Sequence, residues 1–234
     1  MTDQLDTTTP ILSPALPPLA EQAERLVALG LVPDGGSPLT ADRLRSAARA
    51  LAATAPDGSL LVVHPRHLPP SALAGHLRLP LTVRGRTVER EGFVVVDMSD
   101  VDDFAPVAEA PVPDADVYAL AGLDRGDDMA NWSPEEARPE IAGRGRTPLT
   151  LAEGIHWVLQ RREVLERNLC FMTIGSRLRR ADGTFDARTP AIWISNGTGR
   201  DGRERRGAPK VGWCWWRNRH TWLGIASAAG RVAA

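Results

Sequence analysis

The chain has 234 residues, 43% hydrophobic and 24% charged, with a formal net charge of -1. That is enough chain to bury a sizeable core, and near-neutrality gives no overall pull toward nucleic acid or membrane. No apolar run nears the roughly 20 residues of a membrane span, and the acidic start Met1-Thr-Asp-Gln-Leu-Asp6 lacks the form of a secretory leader, so a cytoplasmic protein without a membrane partner is expected.

Residues 1–18, rich in Thr, Pro and Ser and without apolar periodicity, read as a disordered tail. Leu19, Ala23, Leu26 and Val27 have helical spacing and stop at Gly30. Thr40 then caps a second helix whose apolar face is Leu44, Ala47, Ala48 and Leu51. Leu60 to Val63 reads as a buried strand, Pro69 to Leu77 as a short helix. Leu81 to Val83, Phe93 to Val96 and Val117 to Leu123 are further strands. Ser133-Pro-Glu-Glu136 is a helix start that Pro139 should cut to a turn or a kink. Thr150-Leu-Ala-Glu153 is a second capping box, opening a helix to about Arg167. Strands follow at Cys170–Ile174, Ala191–Ile194 and Val211–Trp215, with a long Gly- and Arg-rich loop from Ser195 to Pro209.

Helices and strands mix without a βαβ rhythm, which predicts an α+β fold. We expect N-terminal helices, a mixed or antiparallel sheet and a Trp-rich C-terminal subsheet packed on the Thr150 helix. Residues 19–234 form one domain, with a subdivision conceivable near 130–145.

The C-terminal part carries the chemistry. Five of seven tryptophans fall between Trp193 and Trp222, and residues 171–234 hold twelve basic but only four acidic side chains. Strand alternation puts Trp213 and Trp215 on one face and Cys214 and Trp216 on the other. Two readings stay open: indoles that fill a core, or a platform on which rings stack while Arg217 and Arg219 hold phosphates.

The segments Arg144-Gly-Arg-Thr-Pro-Leu-Thr-Leu-Ala-Glu-Gly-Ile155, Ile174-Gly-Ser-Arg177, Pro190-Ala-Ile-Trp-Ile-Ser195, Gly212-Trp-Cys-Trp215 and His220-Thr-Trp-Leu-Gly-Ile-Ala-Ser227 resemble an uncharacterised bacterial family, a domain of unknown function. The resemblance runs from about Leu19 onward. It departs from the pattern at Arg219, where a proline is expected, and at Ala228. It implies no activity and therefore no catalytic residues.

A non-catalytic binding or regulatory module for an anionic ligand is the leading expectation, with single-stranded nucleic acid as one such partner. Its site would use Arg144, Arg146, Arg217, Arg219 and His220 with the indoles of Trp213 and Trp215. Arg144 and Arg146 precede the Thr150 helix, whose free N–H groups favour an anion. One alternative is an enzyme using Cys214 or His220 with a carboxylate such as Glu153. Another is an interaction protein whose tail is the contact element. No cofactor is implied, and no metal-ligand spacing occurs: His64-Pro-Arg-His67 contains a proline, and the acidic turn Asp124–Asn131 fails the calcium-loop pattern.

Overall fold

A computed structural model describes residues 15–32 and 38–233. Helices α1 (Leu19–Ala28) and α2 (Ala41–Ala52) precede strand β1 (Leu60–Val63). Next come α3 (Pro70–Ala74), β2 (Arg78–Val83), β3 (Arg86–Glu91), β4 (Phe93–Val94), β5 (Phe104–Pro106) and β6 (Val117–Ala121). The second half adds α4 (Pro134–Gly143), β7 (Thr147–Pro148), α5 (Leu151–Gln160), β8 (Cys170–Met172) and β9 (Ser176–Leu178). It closes with β10 (Arg188–Ile194), β11 (Pro209–Trp215), β12 (Leu223–Ile225), β13 (Ser227–Ala228) and β14 (Gly230–Ala233). The class is mixed α+β, as the sequence predicts. Among the described residues no helix is long and apolar enough to cross a membrane.

Two sheets organise the molecule. One has three antiparallel strands in the order β1-β6-β14; the other has five in the order β12-β8-β10-β11-β4. In the larger sheet β8, β10 and β11 are antiparallel, while β12 and β4 join its two edges in parallel. Helix α5 lies between the sheets, touching β1 on one side and β10 on the other, and all ten of its residues are buried. Such a helix cannot be amphipathic in the ordinary sense; it is apolar nearly all round because both flanks are core. Its Gly154 permits the close approach, since a Cβ there would meet Thr173 Cγ2 at 2.6 Å. Helices α1 and α2 pack against β1 and β6.

A second apolar cluster sits on the far face of the five-stranded sheet. Met129, Ala137 and Ile141 pack there on Met172, Ala191 and Ile225, so α4 covers part of that face. The uncovered remainder is the site described below.

Caps are where the sequence places them. Thr40 accepts from the Arg43 N–H, and Ser133 and Thr150 each form a capping box with Glu136 and Glu153. Three expectations need correction. Helix α4 does not stop or shrink at Pro139 but runs ten residues with the proline inside. Pro139 and Glu135 are both exposed, so water can serve the carbonyl that the proline cannot, while buried Ala137 and Ile141 anchor the helix. Helix α5 ends at Gln160 rather than near Arg167, because Arg161 turns extended (φ -143°, ψ 90°); Leu165 is buried all the same, from the following turn. The strand expected at Phe93–Val96 has only two paired residues. Of the predicted tail, residues 1–14 lie outside the described residues. Leu16 packs on the core, and Pro17 O accepts from Gln22 Nε2 at 2.7 Å.

Candidate functional site

The register of the larger sheet builds the site. Leu223, Cys170, Trp193 and Lys210 stand in one row across β12, β8, β10 and β11, on the face away from α5. Behind them the next row, Ile225, Met172, Ala191 and Gly212, runs under α4. Where α4 stops, a cleft of about 390 Å³ remains open. Trp193, Cys170, Ala191, Cys214 and Leu223 belong to its sheet side, and His220 and Trp222 to the loop side. Asn168, Leu169, Ile194, Asn196 and Trp213 complete the lining. None of these twelve is an acid, a lysine or an arginine.

Each wall has a local cause. The Trp193 indole lies over Gly212 on the neighbouring strand; a Cβ at 212 would come within 2.6 Å of Trp193 Cη2. The Lys210 ammonium sits 4.7 Å from the Trp193 ring centroid and is itself bound by Asp201 Oδ2 at 2.8 Å. Asp201 also accepts from Ser195 Oγ at 2.7 Å, so the loop after β10 is tied to β11 through one carboxylate. On the other side His220 and Trp222 stack, with centroids 4.6 Å apart and planes 21° from parallel. Their backbones are fixed by Asn131 N–H to His220 O and Cys170 N–H to Trp222 O, both 2.9 Å. Asn168, at the rim, has a positive φ of 62°.

Of the residues that the sequence singled out, His220 stands in this cleft, while Trp213 only borders it, its side chain packing on the main core from the other face of the sheet. Trp215 lies on the opposite strand face with Trp213, in an edge-on contact at 4.5 Å, and is exposed. The tryptophans are thus divided: Trp157 is core, Trp193, Trp213 and Trp216 are half-buried, and Trp132, Trp215 and Trp222 are exposed.

The arginines are engaged elsewhere. Arg217 pairs with Glu135 at 3.1 Å. Arg219 binds Glu136, whose carboxyl is held down at about 2 by that contact. Arg144 pairs with Asp128 (2.6 Å) and Glu140 (2.8 Å). Arg146 donates to Ser227 Oγ at 2.8 Å and Gly122 O at 2.6 Å. At the α5 N-terminus the donors are also taken: Thr150 N by Glu153, and Leu151 N by Ser176 Oγ.

Thiol chemistry has little support in the geometry. Burial pushes both the Cys170 and the Cys214 thiols up, so neither forms a thiolate readily near neutrality. Among the described residues no hydrogen bond joins Cys214 to His220. Glu153 is fully buried inside α5 and saturated by Thr150 N–H, Tyr118 OH and two Arg231 donors. It is remote in kind from a catalytic carboxylate: every lone pair is committed to the fold. Among the described residues no group of three or more potential ligands could hold a metal ion.

Sequence reading missed Trp193, Trp222, Cys170, Asn168 and Asn196 as one lining. The missing information is pairing register, which sequence alone does not give. The local hint is Gly212, whose missing Cβ leaves room for the edge of the Trp193 indole on the adjacent strand.

In class, then, this is a mixed α+β protein with an uncharged, aromatic cleft on one open half of its main sheet. A family model, that of a family of unknown function (DUF5701), matches residues 25–234, and the chain belongs to that family. No curated protein and no solved structure matches it.

Proposed function

We propose that the protein is a non-catalytic binding module whose ligand is an uncharged small molecule seated in the tryptophan cleft. One observation carries this reading: a cleft of about 390 Å³ walled by Trp193, His220 and Trp222 with no charged side chain in its lining. Ligand sites are typically concave and mostly apolar, with a few polar groups that orient the guest. Here those groups are Asn168, Asn196 and His220. An uncharged ligand is preferred to the anion that the basic C-terminal composition suggests, because Arg217 and Arg219 are occupied by Glu135 and Glu136. Two free cysteines fit a reducing, cytoplasmic setting.

Saturation-transfer NMR with a panel of neutral small molecules tests the reading. Ligands that bind the native protein and are lost in both Trp193→Ala and Trp222→Ala support it. Binding indifferent to both substitutions, with the variants still folded, would sink it.

A further inference from the structure

Resting on the cleft as a binding site, we infer that its ligand is a flat, uncharged heteroaromatic ring with an amide-like edge, the chemistry of a purine base or nucleoside. Three observations lead there.

The first is the state of the Trp193 ring. Lys210 places its ammonium 4.7 Å from the ring centroid, so a cation already draws on the π-electrons of that indole. An aromatic cage for a quaternary ammonium needs electron-rich faces. Trp193 is the wrong wall for a second cation and a suitable one for offset stacking with an uncharged ring.

The same lining holds a second flat surface. His220 and Trp222 are stacked within 21° of parallel, and Trp222 is half-exposed at 49%. Stacking on aromatic side chains is how proteins take unpaired bases.

The polar groups supply the third argument. Asn168 and Asn196 border the cleft, and both are exposed, so their carboxamides can turn to a guest by giving up bound water. A carboxamide offers a donor beside an acceptor, the pattern that pairs with N6 and N7 of adenine. No lysine or arginine lines the cleft to take a phosphate. The base or nucleoside is therefore favoured over the nucleotide and over nucleic acid.

Isothermal titration of the full chain with adenosine, AMP and a methyl glucoside tests this. Saturable adenosine binding is expected, at least tenfold weaker in Trp193→Ala and weaker in Asn196→Ala, with AMP no tighter than adenosine. Asn196 is exposed, so its replacement keeps the test valid if Trp193→Ala fails to fold. Three results overturn the inference: no purine binding, purine binding unmoved by both substitutions, or AMP bound much more tightly than adenosine. Glucoside bound in the cleft, with no purine binding, overturns the inference alone and leaves the binding module standing. Neutral ligands that all ignore Trp193 and Trp222 would remove both.

Discussion

His156 Nε2 accepts the backbone N–H of Val63 at 3.3 Å, joining the central helix to an edge strand of the smaller sheet. The other ring nitrogen, Nδ1, lies 2.8 Å from Ala152 O and so carries the proton of a neutral imidazole. Two residues earlier on the same edge, Leu61 N–H is taken by Gln22 Oε1 at 2.8 Å, and Gln22 Nε2 donates to Ser59 O. Two fully buried polar side chains thus stand in for the strand that β1 lacks. Left unpaired and buried, each of those backbone groups would cost about 1–3 kcal/mol.

That arrangement fixes a pH dependence. Burial lowers the His156 pKa from 6.5 to about 4. The unfolded chain then binds the proton more readily than the folded one. Stability from this group is complete above pH 6.5 and declines as pH falls toward 4, by about 3 kcal/mol in all. Urea midpoints between pH 7.5 and 4.5 should fall more steeply for the native chain than for His156→Gln, whose amide can still accept from Val63. Parallel curves would show that His156 does not titrate between the two states.

Glu153 and Arg231 form the other buried polar centre, bonded at 2.7 and 2.8 Å, with Glu153 fully buried and the Arg231 side chain 5% exposed. Arg231→Met leaves the carboxylate without its counter-charge and should cost about 3–5 kcal/mol. The double variant Glu153→Gln/Arg231→Met removes the charge and should recover part of the loss. Chemical denaturation of the three variants at pH 7 checks the order; a double variant less stable than Arg231→Met would refute the account.

Much of this fold was legible in the sequence because its signals are local. The capping boxes at Ser133 and Thr150 and the apolar run Leu60–Val63 each specify an element within a few residues. Pro139 misled because its cost depends on whether Glu135 can reach water, a tertiary fact. The polar core was equally hidden. Gln22, His156 and Glu153 look like surface residues by type, and only the sheet edge and the Arg231 contact explain their burial. The tryptophan cluster lies in part beside the cleft, but the arginines next to it are drawn off by Glu135 and Glu136 of α4, which lie some 80 residues earlier.

Gly212 ties sequence to site most directly. It keeps an ordinary negative φ, so its role is space rather than backbone freedom. A methyl group there would lie 2.6 Å from Trp193 Cη2 and 3.1 Å from Val95 Cγ1, both too close to keep. Gly212→Ala should therefore lift the Trp193 indole away from β11 and out of its contact with Lys210. Such overpacking in a formed core typically costs about 1–3 kcal/mol, and here the cleft can yield by letting the indole swing outward. The expected outcome is a modest loss of stability, a red-shifted tryptophan emission and weakened binding of any cleft ligand. Comparison with Trp193→Ala isolates the part due to the ring, since in that variant only the 3.1 Å approach to Val95 Cγ1 still opposes the added methyl group. An unshifted emission spectrum with ligand binding intact would mean that the ring tolerates the methyl group, and that Gly212 does not shape the cleft.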